Sequence, residues 1–232
     1  MAIIQTEKVT RIYGDHGVPV TALKDIDFSV EKGDFLAIVG PSGSGKTTLL
    51  NILGGLDKAT SGRVRVEEHD LAHLKSRQLT AFRLHHIGFV FQAFNLIPVL
   101  TAKENVEFIM LLQKRPRAER TRQAEELLRA VGLEEQMDRR PHELSGGQQQ
   151  RVAVARALAS MPAFVLADEP TANLDSASAE NLLDIMETLN RERGMTFVFS
   201  THDPRVMKRA RRVITLQDGQ IVSDARTPEE AP

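Results

Sequence analysis

The chain has 232 residues, 41% of them hydrophobic, enough to build a substantial core in one large domain or two small ones. Lys and Arg number 30 against 31 Asp and Glu, so a net charge of -1 gives no global field for nucleic acid or an anionic membrane, and partners must be recognised locally. Cys 0 excludes disulfides, the start MAIIQTEKVTRIYG shows no apolar segment behind a basic one, and the longest apolar stretches, such as Phe35 to Val39 and Phe108 to Leu112, fall far short of the ~20 residues that cross a bilayer. The expected compartment is the cytoplasm, and any membrane crossing falls to other chains.

Ile3 to Val9 and Ile26 to Val30 alternate apolar and polar residues and predict half-buried strands, whereas Phe35 to Val39 is wholly apolar and predicts a buried one. After Thr47, the run TTLLNILGGL places Leu49, Leu50, Ile52, Leu53 and Leu56 mostly on one face of a helix that Gly54 and Gly55 end. Arg63 to Glu67 and Ile87 to Phe91 read as further strands. From Ala118 to Val131 the pattern is helical and highly charged, with Leu127, Leu128 and Val131 as its apolar face and Gly132 as its stop. It begins a helical insert in which Pro141 is the strong breaker. Gln149 to Ala159 reads as a helix, Phe164 to Ala167 as a buried strand, Ala177 to Arg193 as a helix and Thr196 to Ser200 as a strand. Such alternation predicts an α/β fold, a parallel sheet with covering helices. There are no internal repeats, and a short polar tail follows Val222.

Between the buried strand Phe35 to Val39 and the first helix lies GPSGSGKT, Gly40, Pro41, Ser42, Gly43, Ser44, Gly45, Lys46 and Thr47, followed by Thr48. It fits GxxxxGK[ST]: glycines let backbone N–H groups converge on phosphate oxygens, the lysine reaches the β and γ phosphates, and the threonine offers a hydroxyl to Mg²⁺. A second sequence, LSGGQ from Leu144 to Gln148, would present a hydroxyl from Ser145 and bare backbone at Gly146 and Gly147 at a helix N-terminus, another anion site. Two phosphate grips imply two faces. At about 7% glycine the first pattern arises by chance in about one chain in a hundred of this length, and the fixed pentapeptide far more rarely. Asp168 and Glu169 follow the apolar run Phe164 to Ala167, at the carboxyl end of a central strand where open α/β sheets bind ligands. One carboxylate suits Mg²⁺ and the other the polarising of an attacking water.

These residues resemble the ATP-binding subunit of an ABC transporter, over nearly the whole chain from Ile3 to Val222. The resemblance implies a P-loop NTPase, a RecA-like core with an N-terminal antiparallel β subdomain and an inserted α-helical subdomain carrying LSGGQ. The core and β subdomain would occupy about residues 1–92 and 160–223, the helical subdomain 93–159 and a polar tail 224–232. It also implies a homodimer in the ATP-bound state, head to tail, with the loop of one subunit and the Ser145, Gly146, Gly147 and Gln148 of the other closing on each of two Mg-ATP. Asp168, with Thr47, is assigned to the metal and Glu169 to the water. Gln92 matches the glutamine that contacts Mg²⁺ and the water while sensing the membrane partner, and His202 the switch histidine at the γ phosphate. Tyr13, the single tyrosine, lies 27 residues before Gly40. Spacing alone leaves it an ordinary aromatic or a platform for adenine, and the resemblance favours the platform. Asp175 matches an inter-subunit aspartate and equally suits the cap of the helix that follows.

The segments Gly88 to Val106 and Ile52 to Gly62 look like the branch of lipoprotein-release, macrolide-efflux and cell-division ATPases. Their membrane partners work in the periplasm, at times with a periplasmic adaptor. Two departures are the hairpin Glu67, Glu68, His69 and Asp70, which lacks a common glycine, and Lys103 in place of an apolar residue. The implied partner is a transmembrane permease whose coupling helix docks near Gln92 to Leu100, where Phe94, Leu96, Ile97 and Leu100 belong either to a core or to a groove. The implied location is the inner face of the cytoplasmic membrane. An importer subunit or a cell-division module that organises a complex without transport are alternatives. Nothing implies nucleic acid, since chromosome-maintenance relatives insert a long coiled coil where this chain has 51 residues between Gln92 and Leu144.

Overall fold

A computed structural model describes residues 2–14 and 18–226. Two long antiparallel strands open the chain, β1 (Ala2–Tyr13) and β2 (Val20–Glu31). Both outrun the alternating segments in the sequence because register shifts interrupt the ladder beyond Thr6, beside positive φ at Lys8 (47°) and Asp25 (48°). Each bulge inserts a residue and reverses the inside-outside alternation, so a period of two ends early in the sequence while the strand continues. Next come β3 (Phe35–Val39), helix α1 (Lys46–Leu53), β4 (Ser61–Val66) and the two-residue β5 (His69–Asp70). The order β2-β1-β4-β5 makes a four-stranded antiparallel sheet.

The remaining elements are α2 (Ser76–His86), β6 (Ile87–Val90), α3 (Ala102–Leu112), α4 (Arg117–Ala130), α5 (Gly146–Leu158), β7 (Phe164–Asp168), α6 (Ser176–Arg193), β8 (Phe197–Thr201), α7 (Pro204–Arg209), β9 (Arg212–Gln217) and β10 (Gln220–Arg226). A six-stranded sheet runs β10-β9-β3-β8-β7-β6, parallel from β9 to β6, with β10 antiparallel at the edge. Its centre explains the all-apolar strands: every residue of β3 and β8 is buried, because each face is covered. Along β7, Phe164 and Leu166 join one core with Leu49 and Leu53 of α1, while Val165 and Ala167 join the other with residues of α3 to α6. The period of two thus divides one strand between two cores.

Three expectations change. The sequence offered no helix over 76–86 or 102–112, yet α2 buries only Leu79 and Phe82, too sparse a stripe to read, and α3 is announced by its cap rather than its stripe: Thr101 Oγ1 accepts from the Glu104 N–H at 3.2 Å and Glu104 Oε2 accepts from the Thr101 N–H at 2.9 Å. The insert has a second strong break besides Pro141: Pro116, between α3 and α4, directly precedes the first residue of α4. The tail expected from residue 224 begins no earlier than 227, since β10 runs to Arg226 and residues 227–232 lie outside the described residues.

Candidate functional site

The strand β3 delivers the chain to the carboxyl edge of the sheet, where Gly40 (φ 154°), Gly43 (80°) and Gly45 (101°) fold the loop back to the first turn of α1. A methyl group on Gly40 would lie 2.1 Å from the Leu216 carbonyl oxygen, and one on Gly45 2.5 Å from that of Ala22, so bare backbone is obligatory at both. Gly45 supplies no side-chain cap, leaving the first N–H groups of α1 open to an anion. The buried Lys46 ammonium donates to the carbonyls of Gly40 and Pro41, at 2.9 Å each. Buried Ser44 Oγ has no hydrogen-bond partner among the described residues. Around this loop opens a cavity of about 520 Å³, lined by Gly40 to Gly43, Gly45 to Thr48, Ala22, Gln92, Glu169, Ala172 and His202.

From β7, Asp168 reaches the rim of the loop, where its Oδ1 accepts from the Thr47 hydroxyl at 3.1 Å. Glu169 takes a left-handed backbone (φ 45°) just past the strand, and its N–H donates to Ser200 O at 2.8 Å. Its carboxylate is held at both oxygens: Oε1 lies 2.8 Å from His202 Nδ1, and Oε2 accepts from Thr201 Oγ1 at 3.2 Å. Gln92 lies two residues beyond β6, exposed, with its carbonyl accepting from Asn173 Nδ2 at 2.9 Å.

Several residues that the sequence did not single out organise these groups. Gln150 of α5, fully buried, donates from Nε2 to Phe91 O at 3.3 Å and to Pro170 O at 2.9 Å, tying the signature helix to the neighbours of both Gln92 and Glu169. Thr171 Oγ1 donates to Asp203 Oδ2 at 2.7 Å. Asp203 is held down to about 2, chiefly by hydrogen bonds from the Arg205 guanidinium and then from Thr171. A buried glutamine or threonine inside a motif carries no periodic signal, so only the fold reveals them.

Other expected residues lie away from the cavity. Ser145 and Gln148 cap α5 reciprocally: Ser145 Oγ accepts from the Gln148 N–H at 3.3 Å, and Gln148 Oε1 from the Ser145 N–H at 2.9 Å. A methyl group on Gly147 would lie 2.7 Å from Ser178 Oγ, so that glycine serves close packing on α6; Gly146, next to it, meets nothing closer than 3.6 Å. Asp175 caps α6 by accepting from the Ser178 N–H at 2.9 Å, and hydrogen bonds from Ser178 hold its carboxyl below the usual range. Tyr13, at the end of β1, is 39% exposed and donates its hydroxyl to Asp57 Oδ2 at 2.6 Å.

The donors around the loop fit a polyphosphate and a hard cation. An orphaned Ser44 hydroxyl, a loop whose glycines bring bare backbone close to its neighbours and a buried ammonium suit phosphate oxygens. Among the described residues no group of three or more His, Cys, Asp or Glu could hold a metal alone, whereas one carboxylate and one hydroxyl beside a phosphate site match the sparse protein ligation of Mg²⁺.

A family model described as ABC transporter matches residues 23–172, from β2 through the loop, the signature and the acidic pair. The chain belongs to the ABC transporter family. It forms the ATP-binding domain, with the expected α/β architecture, and Tyr13, Asp175 and His202 fall outside the matched span. The ABC domain is 46% identical over 219 residues to an uncharacterised ABC transporter ATP-binding protein of Thermotoga maritima, covering 94% of this chain and 93% of that one. It is 45% identical over 226 residues to the macrolide export ATP-binding/permease protein MacB of Mannheimia succiniciproducens, covering 97% of this chain but 35% of the relative. The chain thus spans about a third of the length of that two-part protein. Among solved structures, a dimeric post-hydrolysis state of the ATP-binding cassette MJ0796 bound to ADP and Pi superposes with a TM-score of 0.88 at 43% identity, over 96% of this chain and 98% of that one.

Proposed function

We propose that this domain hydrolyses ATP as one of two copies that close head to tail, and that it drives a membrane permease in export or in mechanical work on the periplasmic side. The observation that carries this reading is the division of the site. The loop, Glu169, Gln92 and His202 line one cavity and Asp168 reaches its rim through Thr47, while Ser145 to Gln148 and Asp175 stand outside the lining. One chain therefore holds two halves of different sites, and a second copy completes both. That the cassette MJ0796 is dimeric with ADP and Pi bound supports a two-copy unit.

In this reading the loop N–H groups, Ser44 and Lys46 hold the β and γ phosphates. Mg²⁺ would be held by Thr47, Asp168 and Gln92, and would neutralise charge on the phosphates. Glu169 accepts the proton of the attacking water, its carboxylate aimed by Thr201 and His202. His202, its side chain 73% exposed, would reach the γ phosphate by exchanging its contact with Glu169. Tyr13 supplies the platform for adenine.

For the permease, a second cavity of about 460 Å³ fits a coupling helix, since Leu56, Leu84, Phe89, Phe91, Ile97 and Phe108 line it beside the loop of Gln92. Leu96, by contrast, packs against the core. Export is favoured by the macrolide-export relatives, and no helix among the described residues is long and apolar enough to cross a membrane.

Glu169→Gln preserves shape and removes the base. It is expected to retain ATP, to reduce turnover at least about a hundredfold, on the scale of a lost general base, and to elute as an ATP-dependent dimer in size-exclusion chromatography. A monomer with ATP bound refutes the two-halves arrangement.

A further inference from the structure

Two residues given no role so far grip Tyr13. Arg11, two positions earlier on β1, sets its guanidinium 4.3 Å over the centre of the Tyr13 ring. Asp57, four residues past the end of α1, binds both partners at once: one carboxylate oxygen accepts the Tyr13 hydroxyl at 2.6 Å, the other pairs with Arg11 Nη2 at 2.9 Å. The side chains of Arg11 and Asp57 are 23% and 24% exposed, so the pair is largely withdrawn from water. The segment that carries Asp57 is itself fixed along the end of β1, because the Thr60 N–H donates to Thr10 O at 2.8 Å and Thr60 Oγ1 accepts from the Ile12 N–H at 3.0 Å.

A phenol ring attached to the end of a strand has two free torsions, and a ring that swings offers a poor stacking surface because binding must first immobilise it. Here one anchor fixes the tip and a cation covers a face, which removes both freedoms in advance. We propose that Arg11 and Asp57 are positioning residues that hold the Tyr13 ring as a preorganised platform for the base of the nucleotide. This rests on the nucleotide reading above. The anchor also ties the platform to α1, whose N-terminus carries the phosphate loop, because the Asp57 N–H donates to Asn51 O at 3.1 Å.

The chain offers a clean readout, since Tyr13 is the only tyrosine and there is no tryptophan: its ultraviolet emission reports on this ring alone. Arg11→Met keeps the aliphatic stem and removes the cation; Asp57→Ala removes the anchor; Asp57→Asn keeps an oxygen that accepts the phenol. Binding of ATP and of inorganic triphosphate, which lacks a base, would be measured on each, with tyrosine emission recorded without ligand. Arg11→Met and Asp57→Ala are expected to shift the emission and weaken ATP about three- to tenfold, the scale of one aromatic contact, while triphosphate stays within about twofold. Asp57→Asn is expected to lie between them and the parent. Unchanged ATP affinity in both variants, or equal weakening of ATP and triphosphate, overturns the proposal and leaves the nucleotide site standing. A parent protein that binds neither ligand overturns the nucleotide reading and the platform together. Should Asp57→Ala fail to fold, Arg11→Met carries the test.

Discussion

At the scale of single residues, the acidic pair shows how neighbours decide the role of a carboxylate. Asp168 meets a hydroxyl, whereas Glu169 meets two hydrogen-bond donors that fix both oxygens. Thr201→Val keeps the shape and deletes one of those donors. A hydrogen bond to a charged group is worth about 1.5–3 kcal/mol, so turnover is expected to fall about tenfold or more while ATP affinity is retained, as steady-state kinetics beside a binding titration will show. Asp203 makes a different statement, about pH. Its carboxyl titrates at about 2 in the folded protein against an ordinary 3.8, because Arg205 and Thr171 donate to it. A depressed carboxyl stabilises the fold above its unfolded value, and that contribution is lost as pH falls from 3.8 toward 2. Urea midpoints followed between neutral pH and the acid end should therefore drop less steeply for Asp203→Asn than for the parent. An identical slope in the two proteins refutes a native-state role for the charge.

At the scale of elements, two helices begin with the same device and serve different ends. The cap of α3 at Thr101 and that of α5 at Ser145 both close a reciprocal pair with a residue three positions on. Replacing either hydroxyl residue by alanine is expected to cost about 1 kcal/mol in denaturant unfolding. Only Ser145→Ala is also expected to lower ATP turnover, because in the proposed dimer its hydroxyl would meet the phosphates of the nucleotide held by the other copy, while Thr101→Ala leaves turnover unchanged. Equal turnover in both variants would reduce the signature serine to a cap. The cap also bears on why α3 was hard to read: Ala102, Val106 and Met110 recur at helical spacing, but the unbroken apolar run Phe108 to Leu112 covers every face of the second half and hides that stripe.

At the scale of the whole molecule, the docking surface proposed beside Gln92 can be tested apart from the chemistry. Ile97 lines the apolar cavity, its N–H donating to buried Asn105 Oδ1 at 2.8 Å, so the backbone there is held independently of the side chain. Ile97→Glu is expected to leave ATP binding and the melting temperature of the isolated domain within error, and to abolish its assembly with the permease or the stimulation by it. Loss of nucleotide binding in the isolated domain would return Ile97 to the core. Leu96 is unsuited to the same experiment, because it packs against the interior cluster.

The phosphate loop, the acidic pair and the signature were legible in the chain itself, because each depends on residue types at fixed spacing: glycines for close backbone approach, a lysine, adjacent carboxylates after an apolar strand. The central strands were legible for a related reason, since burial on both faces removes polar residues altogether. The β1–β2 hairpin was only half visible, as bulges break the alternation on which the reading depends. What the tertiary structure alone decided is which groups meet. Thr201 on Glu169, Gln150 between the segments of Gln92 and Glu169, and Asp57 on Tyr13 join residues 20 to 59 positions apart, and no spacing rule spans such distances. It decided equally that Ser145 and Asp175 stand away from the phosphate loop. A sequence records the parts of such a site in order along one chain, but their facing directions follow from how the sheet stacks its helices, and that is fixed by packing over the entire core.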